Sequence, residues 1–141
     1  MKKILFVCIH NSGRSQMAEA FFNHLAKGKA QALSAGTIPG SQILPAAIEA
    51  MREVGIAISH QKPKLLTLDM LESADRVITM GCDVEESCPA SFVPTEDWGL
   101  EDPSGKPLEK VRQIRDKIKA QVEELLKQLN AQSPDDARST R

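Results

Sequence analysis

One stretch near the start of the chain, residues 4–22, carries the clearest structural signals and reads ILFVCIHNSGRSQMAEAFF. Its first five residues, Ile4 to Cys8, form a short continuous apolar run, which is typical of a strand buried on both faces of a parallel sheet. A polar loop follows, and from Ser15 apolar residues recur at helical spacing until Gly28 ends the helix. The stretch therefore predicts a strand, a loop and a helix in direct succession.

Similar signals predict the remaining secondary structure. After the first helix we predict a strand at Gln31–Ala35, a helix from Pro45 that Gly55 closes, a short helix from Thr67 to Leu71, strands at Arg76–Met80 and Ser91–Val93, and an amphipathic helix from Pro107 to about Asn130. Long polar loops occupy Gly81–Pro89 and Pro94–Lys106. Strands that alternate with helices predict an α/β fold, with a doubly wound sheet of about four parallel strands flanked by helices.

The composition suits one ordinary globular domain. The chain has 141 residues, 18 Lys plus Arg against 19 Asp plus Glu, and 41% apolar residues. We expect a single catalytic α/β domain over residues 1–132 and a polar C-terminal tail over residues 133–141. A net charge of −1 gives no electrostatic footprint for nucleic acid or membrane, and no apolar stretch is long enough to span a bilayer. Since no secretory signal precedes the first strand, we expect a cytoplasmic protein.

The position of Cys8, at the carboxyl end of a strand and just before a helix, predicts an anion-binding site. Ligands of open α/β sheets bind outside the carboxyl ends of the strands, and successive N–H groups leading into a helix form a concave anion site. We expect a tetrahedral oxyanion on the backbone of five residues, called the cradle below: Ile9, His10, Asn11, Ser12 and Gly13. Arg14 would pair two oxygens in a planar fork, and Gly13 would supply a backbone conformation that other residues resist.

Cys8 would face the central atom of the anion as a nucleophile. The amides, the helix end and the guanidinium favour a thiolate over a thiol, and the Ser15 hydroxyl can donate a hydrogen bond to the sulfur. The competing interpretation makes Cys8 a buried strand residue and Arg14 a solvated charge, but the strand, loop and helix context favours the site. We assign no role to the side chains of the three histidines.

Two further cysteines, Cys82 and Cys88, lie on the acidic loop after the third strand. Three interpretations compete for them: structural thiols, two ligands of a zinc site, or a redox pair. The chain offers no second ligand pair of suitable spacing, so we expect no metal and no cofactor. Because one thiolate is enough for nucleophilic attack on an oxyanion, two more thiols beside it favour exchange chemistry, in which Cys82 attacks an intermediate on Cys8.

Asp102 is the candidate general acid. When a thiolate displaces an oxygen from an oxyanion, the leaving oxygen must gain a proton, and Pro103 restricts the backbone so that the carboxyl group of Asp102 can be aimed at it. On the residues alone, the sequence Asp-Pro-Ser-Gly favours a turn in which the aspartate has only a local role. We expect the neighbouring carboxylates, Asp97 and Glu101, to be solvated.

Four spaced motifs together resemble a known family. They are VCIHNSGRSQMAEAFF from Val7, SAG at residues 34–36, VITMGCDVEESCP from Val77 and WGLEDPSGKP from Trp98. The set is similar to arsenate reductases of the low-molecular-weight protein tyrosine phosphatase fold, of the thioredoxin-coupled type. The resemblance implies an oxidoreductase of arsenical resistance that reduces arsenate to arsenite through three thiols, matching Cys8, Cys82 and Cys88. It further implies a redox-active disulfide that thioredoxin reduces, and it makes Asp102 the general acid.

Two alternatives stay open beside this resemblance. A hydrolytic low-molecular-weight phosphatase would let water resolve the Cys8 adduct, but the chain has no tyrosine, and Trp98 is the only large ring on the Asp-Pro loop, so an aryl phosphate finds little to stack on. A non-enzymatic module for phosphorylated partners would keep the cradle without needing Asp102. One departure from the best-known members is the spacing of Cys82 and Cys88, which five residues separate here instead of six.

A second departure concerns a cation site. Some relatives bind potassium near the cradle through residues matching Asn11, Glu19 and Ser34 together with a carboxylate. Lys64 stands at the position of that carboxylate here. The resemblance therefore implies no bound potassium, with the Lys64 ammonium in place of the ion.

Overall fold

The apolar run at the start of the chain forms an inner strand of a parallel sheet. The computed structural model describes residues 2–81 and 96–132. Within these residues the elements are β1 (Lys2–Cys8), α1 (Arg14–Ala26), β2 (Ala30–Gly36), α2 (Pro45–Glu53), α3 (Leu68–Ser73), β3 (Arg76–Thr79), β4 (Glu96–Asp97) and α4 (Leu108–Gln132). The alternation of strands and helices confirms the predicted α/β class.

The sheet has the strand order β2-β1-β3-β4, and every neighbouring pair is parallel. The register pairs Cys8 with Gly36 and Val7 with Thr79, so the carboxyl ends of β1, β2 and β3 meet at one edge. A Cβ atom on Gly36 would lie 2.6 Å from the carbonyl oxygen of Ile9, so a glycine is needed where β2 ends against the cradle. The predicted sheet of four parallel strands flanked by helices is confirmed.

Alternate residues of β1 face opposite sides of the sheet, as strand geometry requires. Ile4, Phe6 and Cys8 belong to the larger core, to which α1, α2 and α4 contribute. Leu5 and Val7 belong to a smaller core that includes residues of α3. Because helices cover both faces, both sets of β1 side chains are apolar, which explains the continuous apolar run.

Several element boundaries differ from the sequence-based predictions. Helix α1 ends at Ala26, and Lys27 takes the first left-handed position with a φ of 51°, one residue before Gly28. Helix α3 continues to Ser73, beyond the predicted end at Leu71. Strand β4, Glu96–Asp97, lies inside a segment predicted as loop, because its two acidic residues carry no strand signal and only pairing with β3 holds them extended.

Other predictions fall outside the described residues. These are Cys82, Cys88, the strand predicted at Ser91–Val93 and the polar tail over residues 133–141. Among the helices that the structure describes, none combines the length and the apolar character needed to cross a membrane.

Candidate active site

The cradle is fixed by the segment that follows β2. Backbone N–H groups of residues 37–44 donate hydrogen bonds of 2.8–3.3 Å to the carbonyl oxygens of Cys8, Ile9, His10 and Ser12. The N–H and C=O groups of one peptide unit point in opposite directions, so the cradle amides face the other way. The N–H of Asn11 indeed lies 3.2 Å from the Cys8 sulfur. This orientation supports the predicted use of the cradle amides as anion donors.

The Cys8 sulfur receives hydrogen bonds from two groups of the protein. Besides the N–H of Asn11, the Ser15 hydroxyl lies 2.8 Å from the sulfur. The oxygen of Ser15 already accepts a 2.7 Å hydrogen bond from the Asn11 side-chain amide, so its own proton is available to the sulfur. Donors directed at a sulfur stabilise its anionic form, and this geometry supports Cys8 as a thiolate nucleophile.

Arg14 is held by backbone carbonyls from two other elements. It is only 4% exposed, and its Nη1 donates to the Leu100 oxygen at 2.8 Å and to the Met80 oxygen at 3.3 Å. A Cβ atom on Gly81, which has a φ of 137°, would lie 2.7 Å from the Leu100 oxygen and 2.8 Å from Nη1 of Arg14. Gly81 is therefore a site residue that the sequence analysis missed, because its constraint comes from residues distant in the chain.

Three of the predicted catalytic residues, Cys8, Arg14 and Asp102, meet in one small pocket with a volume of about 30 Å³. It is lined by Cys8, His10, Ser12, Gly13, Arg14, Leu44, Asp102, Pro103 and Ser104. Within this pocket Cys8 is buried, whereas Asp102 and Ser104 are exposed. The pocket joins the cradle to the loop of residues 100–106, called the acid loop below.

Asp102 combines the two roles considered for it. Its Oδ1 accepts a 2.9 Å hydrogen bond from the N–H of Ser104, which is the local contact of a turn aspartate. The same residue lines the pocket with Cys8 and Arg14. The turn therefore orients the carboxyl group, and this placement supports its use as a general acid.

The neighbouring carboxylates, Asp97 and Glu101, are exposed to solvent as expected, and each also contacts a nearby polar or charged side chain. Glu101 forms ion pairs with Lys106 at 3.4 Å and Lys110 at 3.2 Å. The hydrogen bond from Lys110, aided by Lys106, lowers the pKa of Glu101 from its ordinary value. Asp97 accepts a 2.7 Å hydrogen bond from the Thr79 hydroxyl. Asp102 is thus the carboxylate of this region that lines the pocket.

Trp98 is a core residue. Its ring packs against Phe6 of β1 with a centroid separation of 5.4 Å, and Phe6 in turn contacts Phe22 edge-on at 6.1 Å. A ring in that position contributes to the larger core and does not line the pocket. The aromatic deficit inferred from the sequence is therefore reinforced by the location of Trp98.

The cradle has unusual backbone conformations at Gly13, as predicted, where ψ is −90° and lies outside the helical and extended regions, and at Asn11, where none was predicted. Asn11 has a φ of 52°, in the left-handed region that asparagine tolerates better than most residues. Gly13 has a φ of −142°. Glycine is needed there for space, since a Cβ atom would lie 3.0 Å from Cγ of Pro103 in the acid loop.

The region of the potassium site found in some relatives contains a lysine side chain here. The Ser34 hydroxyl donates to Glu19 Oε1 at 2.6 Å, and Lys64 Nζ lies 3.6 Å from the same oxygen. A second cation beside that ammonium would be repelled, so these residues do not fit a potassium ion. Within residues 2–81 and 96–132, no group of three or more His, Cys, Asp or Glu side chains is arranged to hold a metal ion.

The histidines contribute little to the site. His24 and His60 are exposed and do not line the pocket. His10 lines it, and its Nδ1 lies 2.9 Å from the carbonyl oxygen of Ile38. A carbonyl only accepts, so Nδ1 carries the proton and the ring anchors the cradle to the segment after β2.

Residues 3–135 match the family described as low molecular weight phosphotyrosine protein phosphatase, and the chain belongs to this family. Within it, arsenate reductase 1 of Staphylococcus epidermidis is 43% identical over 124 residues, which cover 86% of this chain and 93% of that protein.

Solved structures in the same fold include reductases and phosphatases. A thioredoxin-dependent arsenate reductase of Corynebacterium glutamicum is 37% identical with a TM-score of 0.80, over 94% of this chain and 64% of that one. An arginine phosphatase of Geobacillus stearothermophilus is 26% identical with a TM-score of 0.82, over 93% and 94% of the two chains. The shared fold therefore does not separate the two activities, whereas these identities are higher for the reductases.

Proposed function

We propose that this chain is an arsenate reductase that uses three thiols in sequence. The observation that carries the proposal is the Cys8 sulfur, which receives two hydrogen bonds and lines a small pocket with Arg14 and Asp102. The arsenate reductases at 43% and 37% identity support the choice of substrate. The two remaining thiols, Cys82 and Cys88, enter from the sequence, since they lie outside the described residues.

The first step forms a bond between Cys8 and arsenic. The cradle amides and Arg14 hold arsenate, with the guanidinium pairing two oxygens in a fork. The Cys8 thiolate attacks arsenic, the bond from arsenic to one oxygen breaks, and Asp102 donates the proton that lets this oxygen leave as water. The product is an adduct of arsenic(V) on the Cys8 sulfur.

The next two steps transfer the electrons. Cys82 attacks the Cys8 sulfur, a disulfide forms between them, and the electron pair of the sulfur–arsenic bond stays on arsenic, which leaves as arsenite. Cys88 then attacks Cys82, which releases the Cys8 thiolate and leaves a disulfide between Cys82 and Cys88. A dithiol must reduce that disulfide, and we propose thioredoxin for this role in the cytoplasm.

A second candidate is phosphatase activity, which the family and the arginine phosphatase of the same fold favour. In this case water would resolve the Cys8 adduct and the other two thiols would be dispensable. Among the described residues, no Phe, Tyr or Trp lines the pocket, so we expect aryl phosphates to be poor substrates.

The deciding experiment is the oxidation of reduced thioredoxin on addition of arsenate, measured beside phosphate-ester hydrolysis. The reductase proposal predicts thioredoxin oxidation that depends on arsenate and disappears in Cys8→Ser and in Cys82→Ser. Hydrolysis of phosphate esters that survives Cys82→Ser, without arsenate-dependent oxidation of thioredoxin, would establish the phosphatase alternative instead.

A further inference from the structure

Gln16 is a completely buried polar residue that the proposed mechanism does not use. It follows Ser15 in α1 and is 0% exposed. Its Nε2 lies 3.0 Å from the main-chain oxygen of Asn11, 2.9 Å from Asn11 Oδ1 and 3.0 Å from the Lys62 oxygen, so its two protons are shared among three acceptors. Its Oε1 accepts a hydrogen bond from the amide of Gln61. A buried amide with every polar atom engaged has a single defined orientation.

These contacts belong to a chain of hydrogen bonds whose direction is fixed. The backbone N–H of Lys64 can only donate, and it lies 2.8 Å from Asn11 Oδ1, so that atom accepts. The Nδ2 of Asn11 therefore donates to the Ser15 oxygen, which leaves the Ser15 hydroxyl proton available to the Cys8 sulfur. The donors of Gln16 and Lys64 thus set the orientation of an amide that acts on the sulfur through one hydroxyl.

Asn11 also has an uncommon, left-handed backbone conformation. Its φ of 52° is in a region that residues other than glycine rarely adopt. The peptide N–H of the same residue supplies the second hydrogen bond to the Cys8 sulfur. Both donors to the sulfur consequently depend on Asn11, and Gln16 grips both the main-chain and the side-chain oxygen of Asn11.

We infer that Gln16 is a positioning residue for the nucleophile Cys8. It acts by holding Asn11 and by joining the cradle to residues 61–64. Gln16 touches neither the sulfur nor the substrate and acts through Asn11 and Ser15. Its amide keeps two donors aimed at Cys8 and so favours the thiolate. The inference rests on the proposed function only in taking Cys8 as the nucleophile.

The test is the pH profile of alkylation of Cys8 by iodoacetamide in the full-length chain, read from the Cys8 peptide by mass spectrometry. The variant Gln16→Met keeps the length of the side chain but removes its donors. We expect the midpoint of the profile to move to higher pH by about one unit. Without Gln16, Asn11 is less well held, so the hydrogen bonds that stabilise the Cys8 thiolate weaken. Gln16→Glu, which cannot donate when ionised, should shift it in the same direction.

Asn23→Leu is the matched control. Asn23 lies on the same helix, and its amide also bonds to backbone, at Ala32 of β2, with distances of 3.1 and 2.8 Å. Removing it loosens the contact between helix and sheet without touching Asn11, so the alkylation midpoint should stay unchanged. A midpoint that moves equally in Asn23→Leu and Gln16→Met would overturn the inference, because the effect would then be general loosening.

A double substitution separates the route through Ser15. In a Ser15→Ala background one of the two donors to the sulfur is already gone, so Gln16→Met should shift the midpoint by less than in the wild type. An equal shift in both backgrounds, or loss of folding in both Gln16 variants by circular dichroism, would overturn the inference and leave Gln16 a purely structural residue. The readout uses no arsenate, so its result is independent of whether the chain reduces arsenate.

Discussion

The cradle and the acid loop line the same pocket, but different interactions hold them in place. In the cradle and the helix start that follows it, Asn11, Arg14 and Ser15 are at most 4% exposed, and the hydrogen bonds among Cys8, Asn11 and Ser15 and from Arg14 to Leu100 are buried. In the acid loop, Asp102 and Ser104 are exposed, and the anchors are a turn contact and the ion pairs of Glu101.

This difference predicts that substitutions in the cradle and substitutions in the acid loop have different effects. A buried polar group that loses its partner has neither a protein hydrogen bond nor water to replace it, which is costly. Changes in the cradle should therefore affect the whole hydrogen-bond network. Exposed ion pairs contribute little to stability and are screened by salt. The acid loop can therefore adjust when substrate binds, and changes in it should affect proton transfer more than folding.

The largest effect in the acid loop is expected for Asp102→Asn. Asparagine keeps an oxygen for the Ser104 N–H but cannot donate the carboxylic proton, so turnover should fall by about a hundredfold with arsenate binding largely intact. The measurement is kcat and KM for arsenate-dependent thioredoxin oxidation. Unchanged turnover, under conditions where the chemical step limits the rate, would return Asp102 to a purely local turn role.

Gly81→Ala tests a hydrogen bond that couples the two regions, the one from Arg14 to the Leu100 oxygen. The added methyl group would clash with the Leu100 oxygen and with Nη1 of Arg14. We therefore expect kcat/KM to fall by about tenfold as the guanidinium shifts. Gly99→Ala is the matched control, since Gly99 also has a positive φ, of 61°, but nothing lies within 4 Å of its added Cβ. Equal losses in the two variants would attribute the effect to backbone conformation alone.

The smallest effect is expected for Glu101→Gln. The pKa of this carboxyl is lowered, chiefly by the hydrogen bond from Lys110, so its contribution to stability is present above the ordinary carboxyl range and is lost as the pH falls through the lowered value. At neutral pH the variant should keep turnover within about threefold, because the pair is exposed. Thermal unfolding between pH 3 and pH 7 should show a small loss of stability in the variant near pH 7, and this difference should disappear as the pH falls through the carboxyl range, because the wild-type carboxyl is then protonated as well. A loss as large as that of Asp102→Asn would make Glu101 the acid.

The sequence predicts the cradle well because its information is local. The apolar run from Ile4, the polar loop and the helix from Arg14 place Cys8 at the edge of the sheet before any tertiary contact is known. Inside the loop the same reasoning finds the unusual backbone of Gly13 but misses the left-handed conformation of Asn11. Asn11 adopts that conformation because Gln16 and Lys64 hold it, and this support comes from the fold.

The acid loop is harder to predict because distant residues determine it. Gly81 is constrained by Leu100 and Arg14, and β4 exists only through pairing with β3, so neither leaves a local pattern. The pairing of Glu101 with Lys106 and Lys110 likewise cannot be distinguished from solvation in the sequence alone. The part of the site made by single elements is thus predictable, and the part made between elements is not.

The central claim is the ordered relay from Cys8 to Cys82 to Cys88, and peptide mass mapping after one turnover without reductant tests it most directly. The wild type should carry a disulfide between Cys82 and Cys88 with Cys8 free. Cys88→Ser should stop with a bond between Cys8 and Cys82 after releasing about one arsenite per chain, since each chain then supplies two electrons. A bond between Cys8 and Cys88 as the main product, or arsenite release that needs neither Cys82 nor Cys88, would contradict the account.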